Sequence, residues 1–388
     1  MRRSLVLASV VAAVIVVTTE PGSATVPLVA ESVTYQQDVA HDGHVREQGL
    51  DAPFEVAWSV PMRSPSYPLI ADGRAIVTTR RIDGGIGTRI RAIDIATGAT
   101  VWGHGLRGSY FWSNAAYDGG RVFVVNFDGR LTAIDAATGD KLWTVRLPGQ
   151  YSFSSPPAAS EGTVYVGGAG SAGTLYAVAE ADGSILWTRT VDNGDHSSPT
   201  LSANRVFVSY ACRRVHAFDR ATGRALWTTY TGCSGGGGKT SPYHQGLLYA
   251  RDPIAGNATL DARNGSVVMQ FVADTIPAFT TKLMITLVGG VVTATYLTSG
   301  NVAWSSALDG NVVSTPIVVN DSVIVASSDG TLWALRKGSG TVRSTLELNM
   351  AIAGPDEQNV SQPLTGLGAG NGVVIVPGID HLVALRPV

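Results

Sequence analysis

Charge is scarce in this chain: 15% of its 388 residues are Asp, Glu, Lys or Arg, against about 25% in an ordinary soluble domain. No run of Lys or Arg offsets that scarcity, and the formal net charge is −2. A nucleic-acid partner needs a basic face to replace the counterions of phosphate, so that class of partner is excluded. Long apolar stretches are missing as well. Residues 5–17 form an apolar stretch of 13, short of the roughly 20 that span a bilayer. It follows Met1-Arg2-Arg3 and precedes Pro21-Gly22-Ser23-Ala24. Residues 1–24 therefore read as a secretory signal cleaved after Ala24, which places the mature chain outside the cell. The residues around Arg2-Arg3 do not complete a twin-arginine motif. No cysteine follows the apolar stretch, which argues against a lipid anchor and leaves no stable tie to a membrane.

What is abundant is repetition. Residues 133–143 read Ala-Ile-Asp-Ala-Ala-Thr-Gly-Asp-Lys-Leu-Trp, and Ala-x-Asp-x-x-Thr-Gly-x-x-x-Trp returns in full at 92–102 and 217–227. Partly decayed copies stand at 177–187 and 294–304, and further decayed ones place Gly265 before Met269 and Gly340 before Ser344. The glycines Gly98, Gly139, Gly183, Gly223, Gly265, Gly300 and Gly340 are 41, 44, 40, 42, 35 and 40 residues apart. A period near forty with several short strands per unit predicts a β-propeller. In one unit, strands are expected at 113–117, 121–125, 130–134 and 142–147, separated by Asp-Gly-Gly, Asn-Phe-Asp-Gly and Ala-Ala-Thr-Gly turns. Second strands such as Val323-Ile324-Val325 and Val373-Val374-Ile375-Val376 are unbroken apolar runs, as burial on both faces requires. Units of this length leave no room for a useful helix.

Fourth strands fall around Trp58, Trp102, Trp143, Trp187, Trp227, Met269, Trp304 and Ser344, which gives eight blades. The last three-strand set, ending at Leu385, lacks a fourth strand, and residues 54–60 lack the three that should precede them. Joining the two closes the ring and leaves no open edge. The fold class is all-β: an eight-bladed propeller over 53–388, preceded by an extended lead-in at 25–52, and a ring closed on itself is expected to be a monomer. Cys212 falls in a second-to-third-strand turn and Cys233 in the loop leaving a fourth strand of the same blade, on one face. In an exported chain that placement predicts a disulfide over two free thiols, contributing about 3 kcal/mol in the chain-entropy model.

The eleven-residue phrase resembles the tryptophan-docking repeat of the propellers named for pyrroloquinoline quinone (PQQ). That resemblance implies structural roles for Trp58, Trp102, Trp143, Trp187, Trp227 and Trp304, each stacked on the adjoining blade. The family holds PQQ-dependent dehydrogenases of alcohols and sugars, usually longer and with calcium beside the quinone. It also holds shorter propellers without cofactor, including the BamB lipoprotein and many secreted actinobacterial proteins. This chain has the shorter length, lacks adjacent cysteines, and matches no calcium-ligand motif of the dehydrogenases. Its opening at 35–44 is similar to that of the secreted members.

By the same resemblance, the loops entering each first strand form the ligand-holding mouth of the ring. They offer Arg63 and Tyr67, then Tyr110, Phe111 and Trp112, Tyr151 and Phe153, Asp195 and His196, Lys239, Asn311, and Glu357 with Asn359. Converging aromatic and polar groups at a funnel are the default place for a ligand. Other patterns have bland readings beside their sharp ones. Gly232-Cys233-Ser234-Gly235-Gly236 imitates a nucleophile motif, but that motif needs a following helix. Asp192, Asn193 and Asp195 read as a calcium loop or a solvated turn. His41, Asp42 and His44 read as metal ligands or exposed lead-in. His216 reads as a hydrogen-bonded strand residue, and Asp94, Asp135, Asp219 and Asp261 as turn caps. The leading functional expectation is a scaffold without cofactor that binds a small molecule, glycan or protein through the mouth face. The alternatives are enzymes: a PQQ- and calcium-dependent oxidoreductase, with His196 or Asp195 as base and Lys239 on a quinone carboxylate, or a cofactor-free lyase, isomerase or hydrolase using His196 and Tyr110.

Overall fold

A computed structural model describes residues 30–192, 196–233 and 237–388. All regular structure among the described residues is β, arranged as eight sheets that follow one another along the chain. The second blade shows how the sequence builds the unit. Its strands Ser113–Asp118, Arg121–Asn126, Arg130–Asp135 and Lys141–Arg146 pair antiparallel in sequence order from the axis outward. Blade 1 begins at Leu69–Ala71, and blades 3 to 8 begin at Ala158–Ser160, Thr200–Leu201, Tyr243–His244, Ala278–Phe279, Ile317–Val319 and Gly368–Gly370. Blade 8 is completed by Phe54–Pro61, which pairs antiparallel with His381–Pro387 and sets Trp58 opposite Ala384. The two ends of the propeller thus zip into one sheet, and no open edge remains at the closure.

The phrase Ala…Thr-Gly…Trp has a mechanical meaning. In blade 2 the ladder between third and fourth strands slips a register between Lys141 and Trp143, and the other blades slip at the same place. A bulge there turns the tryptophan off its own sheet and onto the next. Trp102 Nε1 donates to the Ala136 carbonyl at 3.0 Å, Trp143 to Glu180 at 2.9 Å and Trp187 to Arg220 at 3.1 Å. Trp58, Trp227 and Trp304 donate to Ile95, Ala262 and Lys337 in the same way. The turn glycine is required twice over: Gly139 has φ +80°, and a Cβ there would lie 2.6 Å from Trp102 Cγ. The preceding aspartates cap these turns, as Asp135 does by accepting from the Thr138 amide at 2.8 Å.

The lead-in is more than extended chain. Residues 30–45 wind around the axis at the end opposite the loops that enter the first strands, and bond to the innermost strand or its flank in every blade. Ser32 pairs with Ile70, Val33 accepts from Tyr117 N, and Thr34 donates to the Pro157 carbonyl. Val39, Ala40 and Asp42 accept from the amides of Leu201, Tyr243 and Phe279. His44–Val45 adds a parallel strand to blade 7, and Gln37 makes side-chain bonds to Leu367 and Ala369 of blade 8. His41, expected as a metal ligand or an exposed residue, is fully buried and bonded to the Tyr35 and Pro199 carbonyls. The segment reads as exposed in sequence because its buried groups are polar; most are satisfied by inner-strand backbone or by the segment itself, while the Tyr35 hydroxyl and Gln36 Oε1 are buried without a partner among the described residues.

Candidate functional site

The mouth is the opposite end of the ring. The connection from blade 7 to blade 8, residues 348–367, is longer than any other between neighbouring blades among the described residues. It crosses the axis instead of skirting it. Val360 packs against the core around Trp112 and Phe153, and Leu364 packs against Tyr35 and Tyr67. The Leu364 amide donates to Asn114 Oδ1 at 3.0 Å, and its carbonyl accepts from the Tyr67 amide at 2.9 Å. Glu357 reaches blade 5, where one carboxylate oxygen accepts from the Thr240 amide and the other from Arg251 Nη1, each at 2.5 Å. Both side chains of this ion pair are buried. Each end of the channel is therefore stopped by the chain itself, by 30–45 below and 348–367 above.

That plug sorts the expected site residues. Tyr67 and Trp112 are each 2% exposed. Tyr67 donates to the Ala115 carbonyl at 2.7 Å and Trp112 lies in the core between blades 2 and 3, so both are packing residues. Phe153 is buried beside Trp112. Tyr110 and Tyr151 stay on the surface at 43% and 66% exposure. Tyr110 stacks on Phe127 at 4.3 Å, and the Tyr151 hydroxyl donates to the Gly170 carbonyl. His196 Nδ1 lies 3.0 Å from Ser154 Oγ, and its ring flanks Gly237 together with Gln358 of the plug. Asn311 is exposed, while Asn359 Oδ1 caps its own turn by accepting from Ser361 N at 2.8 Å. Asn193, Asp195 and Ser234 lie outside the described residues.

Lys239 is half-buried and sits with the plug's anchor. It lines a cavity of about 410 Å³ with Arg251, Asp252, Asn257 and Asp274. Burial, followed by the Arg251 guanidinium, holds its amine below the usual lysine range, while Glu357, Asp274 and Asp356 pull the other way. Sequence reasoning found Lys239 and Glu357 but missed Arg251, Asp252 and Asp274. The signal available was the lengthened 251–257 turn, which opens with two charged residues and a proline. Asp252 Oδ2 accepts from the Arg213 amide at 2.9 Å, tying this turn to the one that carries Cys212. Cys212 and Cys233 form a disulfide, with Cα atoms 5.6 Å apart. Asp192 pairs with His216 at 3.0 Å and with Arg214 at 3.5 Å, a structural use of that loop and of that histidine.

A family's sequence model, described as the outer membrane protein assembly factor BamB, matches residues 86–172, 150–275 and 271–387. This chain belongs to that family. Its match to BamB of Yersinia pestis is 26% identical over 197 residues, 49% of this chain and 44% of that protein. The chain thus aligns with less than half the length of that relative. The crystal structure of BamB from Moraxella catarrhalis superposes with TM-score 0.66 at 19% identity, covering 86% of this chain and all of that one. The quinohemoprotein alcohol dehydrogenase of Comamonas testosteroni superposes with TM-score 0.72 at 16% identity, covering 92% of this chain and 80% of that one. At such identities these two likenesses establish the fold alone.

The residues over the axis do not fit a quinone. Across the mouth the axis is filled by Val360, Leu364 and the buried Glu357, and Arg251 is already committed to Glu357 at 2.5 Å. A further carboxylate brought against Arg251 would compete with Glu357 for it, and displacing Glu357 would leave that buried carboxylate uncompensated. Among the described residues no group of three or more His, Cys, Asp or Glu side chains is arranged to hold a metal ion.

Proposed function

We propose that this chain is an exported, self-closed propeller that binds a protein partner on its mouth face and carries out no chemistry of its own. The observation that carries this reading is the double plug. With 30–45 and 348–367 built into the axis, the mouth offers a surface with a recess beside Lys239 and no chamber along the axis. A surface of exposed Tyr110 and Tyr151, with polar His196 and Lys239 on later blades, suits a macromolecule, because tyrosine supplies large contact area at low entropic cost. The disulfide supports a location outside the reducing cytoplasm. So does the reading of residues 1–24 as a cleaved signal. Membership of the BamB family supports a partner-binding role, since the family's description names an assembly factor.

The test is site-specific photo-crosslinking in the extracytoplasmic fraction of the source cells. A photoreactive residue at Tyr110 or Tyr151 should give a discrete protein adduct, and one at Thr222, exposed on the opposite face, should not. Adducts from Thr222 alone, or none from the mouth, would overturn the reading. Addition of PQQ with calcium should produce no new absorption band and no dye reduction by alcohols or sugars; either signal would favour the dehydrogenase alternative.

A further inference from the structure

Six of the seams between blades are filled by a tryptophan, and the seam between blades 5 and 6 is not. There the fourth strand Val267–Gln270 carries Met269 at the docking position. The receiving half is nevertheless intact on blade 6. Gly300 holds the turn at φ +70°, and a Cβ on it would lie 2.9 Å from Met269 Cε, just as the other turn glycines abut a tryptophan. In the six filled seams the indole N–H donates to the carbonyl three residues before that glycine. Here that carbonyl belongs to Leu297, and no hydrogen bond to it is found among the described residues.

The unfilled space is a groove of about 360 Å³ walled by Tyr249, Phe271, Met284, Tyr296 and Leu297. It is largely apolar, with threonines 286, 293 and 295 on its blade 6 side. The seam between blades 7 and 8 also lacks a tryptophan, but there Phe54 and Leu346 share one core. Val267, Val268, Val272 and Tyr296 are exposed beside the groove. An apolar rim of this kind around an apolar slot marks an interaction surface.

We propose that this seam receives a tryptophan side chain from a partner polypeptide. The indole would enter the groove, push the flexible Met269 methyl aside from Gly300, and donate its N–H to the Leu297 carbonyl, reproducing in trans the bond made in cis at six other seams. The six filled seams identify the occupant, since at each of them the same turn takes a tryptophan carried on a β-strand. The inference rests on the reading of the chain as a partner-binding scaffold, and it adds a second point of attachment outside the mouth.

The probe is a synthetic peptide with the sequence of Lys141–Arg146, which carries Trp143, alongside the same peptide with alanine at that position. Full-length protein labelled at its methionine methyl groups reports the site directly. Met269 and Met284 line the groove, whereas Met62 and Met350 are buried elsewhere. The tryptophan peptide should shift the Met269 and Met284 signals and leave Met62 and Met350 unmoved. The alanine peptide should bind more than about tenfold more weakly. Met269→Trp should fill the seam, raise Tm and abolish the shift at Met284. No shift at either groove methionine, or equal shifts with the alanine peptide, overturns the proposal even if Met269→Trp fails to fold. Free indole binding as tightly as the peptide overturns the polypeptide occupant in favour of a small molecule. Failure here together with adducts at Tyr110 or Tyr151 removes the seam and keeps the mouth-face scaffold; loss of the mouth adducts alone does the reverse.

Discussion

The rim and the axis of this ring are held together in opposite ways. On the rim one small device recurs: a bulge aims a tryptophan at a glycine turn, and the indole N–H finds a carbonyl on the next blade. Each such joint is local and links only neighbours, as expected of a repeat architecture. At the axis nothing recurs. Residues 30–45 and 348–367 each occur once, and they join blades far apart in the ring, as Glu357 does in linking the approach to blade 8 with Arg251 in blade 5. Repetition makes the wall, and two unrepeated segments fill the hole.

The largest expected effect lies on the axis. Glu357→Ala leaves the Arg251 guanidinium buried without its partner, which should cost about 3–5 kcal/mol in denaturant unfolding. A loss below about 1 kcal/mol would mean that the plug is not part of the folded unit. On the rim, Trp143→Ala and Trp187→Ala should each cost about 3 kcal/mol and resemble one another closely, because the joints are copies. Costs that differ several-fold between those two would break the picture of an interchangeable rim.

The contrast also explains what the sequence disclosed. Blade count, ring closure at Trp58 and Leu385, and the disulfide could be read because each follows from spacing in a repeat. Tyr67 and Trp112 were expected at a ligand and lie in the core. Their place in the entering loops is common to every blade, and only the plug, which has no counterpart elsewhere, decides which of those loops stay open. His41 and Gln37 were illegible for the same reason: a buried polar segment looks like a solvated one until the blades it bonds to, at Pro199 and Ala369, are in place. The length of 348–367 was the one signal available for the upper plug, since long loops in compact folds are seldom idle.

Two smaller effects sharpen the comparison. Replacing Cys212 and Cys233 together with serine should lower stability by about 2–3 kcal/mol, measured against the oxidised protein. Because both cysteines lie in one blade, the loss should stay local, and amide protection in blades 1 and 2 should be unchanged. The smallest effect is a pH dependence on the rim. Glu180, whose backbone carbonyl receives Trp143, has its carboxyl held up at about 8 by burial and by the neighbouring Asp118. A carboxyl raised in the fold supports the folded state while protonated. That contribution is complete below the ordinary value of 4.5 and is lost as pH rises through 8. Glu180→Gln should therefore flatten the fall of Tm between pH 5 and pH 8, and an unchanged slope would assign that fall to another group.

Amide hydrogen exchange, read by mass spectrometry on the intact protein, tests the filled axis most directly. The amides of Ser32, Val33, Thr240 and Leu364 are bonded inside the ring, and they should exchange as slowly as those of the inner strands Ser113–Asp118 and Ile317–Val319. Exchange of these four within seconds while the inner strands stay protected would contradict it, leaving an open channel in which a ligand chamber is restored.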